Sequence, residues 1–257
     1  WMSIQDKISS FIEEMGYLNN EHVLGILFYG SYFTGLNTAN SDIDLHIILD
    51  NEDPNHLIRG NKVVDGMRIE YFEKPLEEIY RTVDEDYINQ NNATLTIFGT
   101  SKIIYAKDNQ LQQLQEYIVN KYSNPIPPLS DDEAKEQVSI LNNRMEKLKE
   151  YAKNDNLYFE HLYHLTIEKI RRFYHRVMGV PRIETSKGFR LYIDDKYRKA
   201  FCVNKIPEDT FIKMYFTLIL DTSSDKISKY NSLYKMYEFM KHVSKPQKKK
   251  FLSPFNR

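Results

Sequence analysis

The chain has 257 residues, 35 Lys and Arg against 36 Asp and Glu, 41% hydrophobic and 28% charged residues. That length allows one large domain or two modest ones, and the composition excludes a fibrous or disordered chain. No 18 apolar residues run together, so no membrane contact is expected, and a lone Cys202 cannot form an internal disulfide, which points to the cytoplasm. The net charge of −1 conceals a split: residues 1–125 hold 19 acidic and 9 basic side chains, residues 126–257 hold 17 and 26. Two parts with different electrostatic tasks are expected.

In chain order, Ile4, Ile8, Phe11, Ile12 and Met15 fall at helical spacing and predict a packed first helix over Ser3–Leu18. Val23–Tyr29 is a continuous apolar run of buried-strand type, and Asp42–Leu49 opens with strict alternation. Lys62–Glu73 reads as a third strand region, bent as a hairpin at Asp65-Gly66. Pro75 introduces a helix over Leu76–Tyr87, Ile103–Tyr105 is a short strand, and Leu111–Val119 a further helix. Residues 123–130 carry three prolines in eight positions and read as a linker. Beyond them the pattern is helical: a capping box at Ser130–Glu133 opens one long helix, and Leu157–Met178 forms a second, closed by Gly179. A shorter element is expected from Lys187 to Tyr192, then helices over Pro207–Leu220 and Asp225–Val243. The expected fold class is α+β, with a mixed-sheet domain over residues 1–125 followed by an all-α helical bundle over 126–257.

The chemistry concentrates in Tyr29-Gly30-Ser31, a ten-residue spacer, and Asp42-Ile43-Asp44-Leu45. Gly30 permits a tight turn and a close approach to the main chain, where backbone N–H groups and the Ser31 hydroxyl can hold phosphate oxygens. Asp42 and Asp44 are two apart on a strand, so both carboxylates face one way. Paired carboxylates repel unless a cation lies between them, and hard oxygen ligands beside phosphates suit Mg²⁺. Glu70, in the strand Arg68–Phe72, is the best third carboxylate for a two-metal site; Asp65 sits in the turn and Glu73 faces the other way.

The segment YGSYFTGLNTANSDIDL resembles the signature of the DNA polymerase β-like nucleotidyltransferase superfamily: hydrophobic-Gly-Ser, a spacer of about ten, then Asp-hydrophobic-Asp-hydrophobic. The resemblance covers residues 23–73, with Glu70 matching the later acidic position. It implies Mg²⁺-dependent transfer of a nucleoside monophosphate from an NTP, with ATP expected, to a hydroxyl-bearing acceptor. Many relatives carry a basic residue in the turn after Gly-Ser; here it reads Tyr32-Phe33-Thr34-Gly35. The triphosphate must then be met by metal ions or by residues from elsewhere. Pro181-x-x-x-x-Ser186-Lys187 resembles an element of the small antibiotic-type enzymes whose lysine lies near the phosphates, and so implicates Lys187. Those relatives also place a carboxylate from the helical domain as general base, for which Glu160 and Glu168 are candidates, Glu160 foremost. The two-domain layout resembles the bacterial aminoglycoside and lincosamide nucleotidyltransferases. A toxin-like enzyme acting on tRNA or protein is the alternative, favoured by the basic second half and its Lys245–Lys250 tail, which could contact RNA. A non-catalytic nucleotide-binding protein is a further alternative. His46, on the same alternating face as Asp44, is expected to be a packed histidine.

Overall fold

The structure is a computed structural model, and residues 2–50, 58–124, 129–181, 188–203 and 209–245 are described. Residues 125–128 of the expected linker, Lys187, the first two residues of the helix expected from Pro207, and the tail beyond Lys245 lie outside the described residues. The chain divides into two compact units, residues 1–124 with 196–202, and residues 125–195 with 203–256.

The first unit is a five-stranded mixed sheet in the order β3-β4-β2-β1-β5. Its strands are β1 (Val23–Tyr29), β2 (Ile43–Leu49), β3 (Ile58–Val64), β4 (Met67–Pro75) and β5 (Lys102–Ala106). Only β2 and β4 run parallel; the other neighbours are antiparallel. β3 and β4 form the expected hairpin, with Asp65 (φ 42°) and Gly66 (φ 72°) both in the left-handed region that a two-residue hairpin turn requires.

Helix α1 (Ile4–Glu14) begins at a capping box in which Ser3 and Asp6 satisfy each other's backbone N–H groups. It lays Ile8, Phe11 and Ile12 on one face of the sheet, against Ile43, Leu45, Ile47 and Leu49, which alternate along β2, and Ile69 of β4. Polar contacts fix its register over the hairpin. Lys7 Nζ donates to the Asp65 carbonyl at 2.7 Å, Lys62 Nζ lies 2.6 Å from a Glu14 carboxylate oxygen, and the Tyr17 hydroxyl donates to Glu73 at 2.7 Å. On the opposite face α3 (Leu76–Ile88) packs against β4, while α4 (Gln110–Ser123) packs against β1 and β5. α4 comes so close to β1 that a Cβ on Gly25 would fall 2.3 Å from Leu111 Cδ2.

Three elements escape sequence patterning because they are short. Gly30–Thr34 forms a five-residue helix, α2, where a plain turn is expected. Leu95–Gly99 forms a π-helical turn. Asp195–Ala200 forms α7, and the residues just after it return to the first unit, where buried Asn92 donates to the carbonyls of Phe201 at 2.8 Å and Cys202 at 3.3 Å. The described residues of the second unit form α5 (Asp131–Lys153), α6 (Phe159–Met178), α8 (Asp209–Ile219) and α9 (Lys226–Val243), with a 3₁₀ turn at Gly188–Tyr192. The Ser130–Glu133 capping box and the Gly179 terminus form as expected. No helix among the described residues is long and apolar enough to cross a membrane.

Phe11 is fully buried at the centre of the α1 layer, so Phe11→Ala is expected to cost about 3–5 kcal/mol. A lower urea midpoint for the transition of the first unit checks this.

Candidate active site

β1 delivers Tyr29, and the chain then turns through Gly30 at φ +79° into α2, whose N-terminus has no side-chain cap. The place of a Gly30 side chain is taken by Asp44: an added Cβ would lie 1.9 Å from Asp44 Oδ2. Any larger residue would drive that carboxylate out. The ladder sets the rest, since Tyr29 pairs with Asp44 across the antiparallel strands and Asp44 pairs with Glu70 across the parallel ones. Three polar side chains therefore stand in a row across three adjacent strands.

Asp42 lies one residue before β2 rather than on it, after a turn in which the Thr38 N–H donates to Ser41 Oγ at 2.8 Å. The strand spacing still places it beside the hairpin, where Arg68 holds its carboxylate in an ion pair. This pair raises the guanidinium pKa further. Glu70 is held in turn by Arg59, whose Nε donates to it at 2.9 Å and whose guanidinium lies 5.1 Å over the Phe72 ring. Burial pushes the Tyr29 phenol well above its ordinary pKa, with Asp44 and Glu70 adding to the shift, so it remains a neutral donor.

Below the carboxylates, on the same face, His46 is packed rather than poised. Its ring stacks on Phe72 at 5.2 Å, meets Phe98 of the π turn edge-on at 4.7 Å, and lies 5.2 Å from Tyr29. It is 6% exposed, and its Nδ1 has no hydrogen-bond partner among the described residues. Burial, with Lys74 nearby, lowers its pKa to about 3, so the ring is neutral.

Gly30, Ser31, Asp44 and Glu70 thus lie on adjoining elements of the first unit, with Asp42 one residue before β2 and turned to Arg68. Glu160 lies on α6 in the second unit, with both carboxylate oxygens 2.9 Å from the Nζ of buried Lys229. Glu168, also on α6, accepts from Arg171 Nε at 2.9 Å and from the Tyr215 hydroxyl at 3.2 Å. Lys187 lies outside the described residues. The residues that sequence reading passed over are Arg59 and Arg68. Their available signal was alternation, which sets Arg68 two residues before Glu70 on one face of the hairpin.

With two carboxylates turned to guanidinium groups, no three His, Cys, Asp or Glu among the described residues are gathered to hold a metal ion. The donor set nevertheless fits a hard divalent cation. It consists of carboxylate oxygens alone, one of them seated in a cradle that a Cβ would fill, and each of the other two already attracts a positive group.

Residues 14–110 match the family model described as Polymerase beta, Nucleotidyltransferase. The first unit carries a nucleotidyltransferase domain of the DNA polymerase β-like superfamily. Among solved structures, a nucleotidyltransferase-like protein from Exiguobacterium sibiricum aligns over 94% of this chain and 74% of its own, with a TM-score of 0.51 and 13% identity. At that identity the likeness is one of fold, and it extends through the helical part. No curated protein matches.

Two outcomes test the site. Gly30→Ala is expected to lose more stability than Gly35→Ala, because both glycines have positive φ but a Cβ at Gly35 meets nothing within 4 Å. The difference in melting temperature isolates the Asp44 clash. For His46 the unfolded imidazole takes its proton near pH 6.5 and the folded one near pH 3. Its contribution is complete above pH 6.5 and is lost as pH falls toward 3. At pH 5 about 2 kcal/mol is expected to be gone. Melting curves of His46→Leu should show a shallower fall over that range than the parent protein.

Proposed function

We propose that the protein transfers a nucleoside monophosphate from an NTP, with ATP expected, to a hydroxyl of a small antibiotic-like acceptor. The acceptor oxygen bonds to the α-phosphorus, the bond from that phosphorus to the bridging oxygen breaks, and pyrophosphate leaves. The observation that carries this reading is the register pairing Asp44 with Glu70 while Gly30 makes room for the Asp44 carboxylate. Asp42, Asp44 and Glu70 would hold Mg²⁺, which supplies positive charge against the triphosphate and acidifies the acceptor hydroxyl. The N–H groups at the start of α2 and the Ser31 hydroxyl are assigned to phosphate oxygens. Tyr29, neutral beside the carboxylates, can donate a hydrogen bond and keep Asp44 oriented. Lys187 is retained as a further phosphate ligand. Glu160 is retained as a general base for the acceptor proton, a role that requires its release from Lys229.

A second reading, transfer to tRNA or protein, is favoured by the 26 basic residues in positions 126–257. The acceptor is settled by incubating the protein with each α-labelled NTP and Mg²⁺, against aminoglycosides, lincosamides, total tRNA and cell lysate. Label in the small-molecule fraction is expected, and label in RNA or protein alone would replace the acceptor class. In Asp42→Asn and Asp44→Asn, labelling should fall by more than about a hundredfold, since outer-shell partners of a metal are already worth ten- to a hundredfold. Unchanged turnover in both variants would sink the metal-carboxylate assignment.

A further inference from the structure

Between Lys7 and Arg59 the sequence contains no lysine or arginine, so neither β1, α2, the following turn nor β2 supplies a cation to a bound triphosphate. The next two arginines both reach the carboxylate row. β3 pairs with β4 so that Arg59 is opposite Phe72 and Asn61 is opposite Glu70, which puts Arg59, Asn61, Arg68, Glu70 and Phe72 on one face of the hairpin. That is also the face of Asp44 and His46, because Asp44 pairs with Glu70 and His46 with Phe72. Asp42 and Arg68 keep the same offset just beyond the paired stretch, and their side chains meet. Both arginine side chains remain largely exposed, 68% for Arg59 and 57% for Arg68, while the carboxylates they hold are 24% and 19% exposed. Each cation therefore sits at the mouth of the site, resting on a carboxylate assigned to metal.

We propose that Arg59 and Arg68 are the triphosphate-binding arginines of this domain, resting on Glu70 and Asp42 until a divalent cation takes those carboxylates. The inference rests on the nucleotidyl-transfer reading above. A carboxylate oxygen drawn to a divalent cation gives up most of its bond to a guanidinium. The freed guanidinium then has a polyanion within its swing. Exposed arginine–carboxylate pairs are weak, so the exchange costs little, whereas a planar fork on phosphate oxygens is among the stronger charge-assisted contacts. The exchange also links the ligands: metal releases the arginines for the nucleotide, and nucleotide removes the competitors of the metal, by equal factors.

The test is binding rather than turnover, with Mn²⁺ followed by electron paramagnetic resonance and a non-hydrolysable ATP analogue followed by calorimetry. Without nucleotide, Arg68→Ala and Arg59→Ala are expected to bind Mn²⁺ about two- to fivefold more tightly than the parent, as an opposing ion pair is removed. With Mn²⁺ saturating, the same variants are expected to bind the analogue about tenfold or more weakly, with partial recovery in Arg68→Lys. Lys62→Ala is the control: Lys62 is on β3 but reaches Glu14 on the α1 side, so both affinities should stay put. Weaker Mn²⁺ binding in the arginine variants, or unchanged analogue binding, overturns the proposal while leaving nucleotidyl transfer standing. A parent protein that binds neither Mn²⁺ nor any nucleotide analogue overturns the transfer reading itself, and the arginine roles with it.

Discussion

Asp44 occupies the space where residue 30 would otherwise have a side chain, and the arrangement of the site follows from that contact. A positive φ at Gly30 lets β1 end abruptly and α2 begin at once, with no side-chain cap from Tyr29 at its N-terminus. The antiparallel ladder then fixes Tyr29 against Asp44, and the parallel ladder fixes Asp44 against Glu70. Because strand side chains alternate, a slip of one residue in either ladder would turn a carboxylate into the α1 layer. The apolar alternation of Ile43, Leu45, Ile47 and Leu49 opposes that slip, since it would set Asp44 among the apolar side chains under α1 in their place. Core packing is thus what holds the polar row in register.

The hairpin that carries Glu70 is fixed from both faces. On one, α1 contacts it through Lys7 at the turn and Glu14 with Lys62 on β3, and the 3₁₀ turn after α1 adds Tyr17 against Glu73. On the other, Phe72 stacks on His46, and Phe98 from the π turn closes the ring cluster. A neutral, packed imidazole there serves β2–β4 spacing better than a charged one would, since charge in that apolar nest would need a counterion. The rigid part of the site therefore lies beneath Asp44 and Glu70, and the adjustable part, Arg59 and Arg68, lies at the exposed end.

Most strands and long helices were legible because each carries either an apolar run or a 3/4 repeat long enough to show a period. The hairpin at Asp65-Gly66 was legible for another reason, because few dipeptides accept two successive left-handed residues. α2, the π turn and α7 were not, since five or six residues contain too little periodicity to separate helix from turn. At the candidate site, Gly30-Ser31 and Asp42-x-Asp44 stand out by spacing and Glu70 by its place in a strand, and the ladder pairs Asp44 with Glu70. Asp42 was assigned to the strand although the ladder begins at Ile43, as hydrophobic alternation does not mark where hydrogen bonding starts. Arg59 and Arg68 stayed hidden because their meaning is long-range: an exposed arginine on an edge hairpin looks like an ordinary solubilising charge until strand register shows which carboxylate it faces.

The charge split takes on a different meaning once the side chains are located. The acidic excess of residues 1–125 is spread along the chain rather than gathered at the site: α3 carries Glu77, Glu78, Asp84, Glu85 and Asp86, and Lys74, Arg81 and Lys121 pair against them. At the site itself three carboxylates face two guanidinium groups, close to balance. An acidic domain average therefore says little about the site. The field that an incoming triphosphate meets within a Debye length, about 8 Å at physiological salt, is set by local pairs and their exchange. A divalent cation offsets part of a polyphosphate's charge, so adding the two together shifts the charge of the row less than adding the polyphosphate alone. On the proposed nucleotidyl transfer, joint binding is the electrostatically favoured course, and that reading rests on the position of two arginines rather than on the composition of either half.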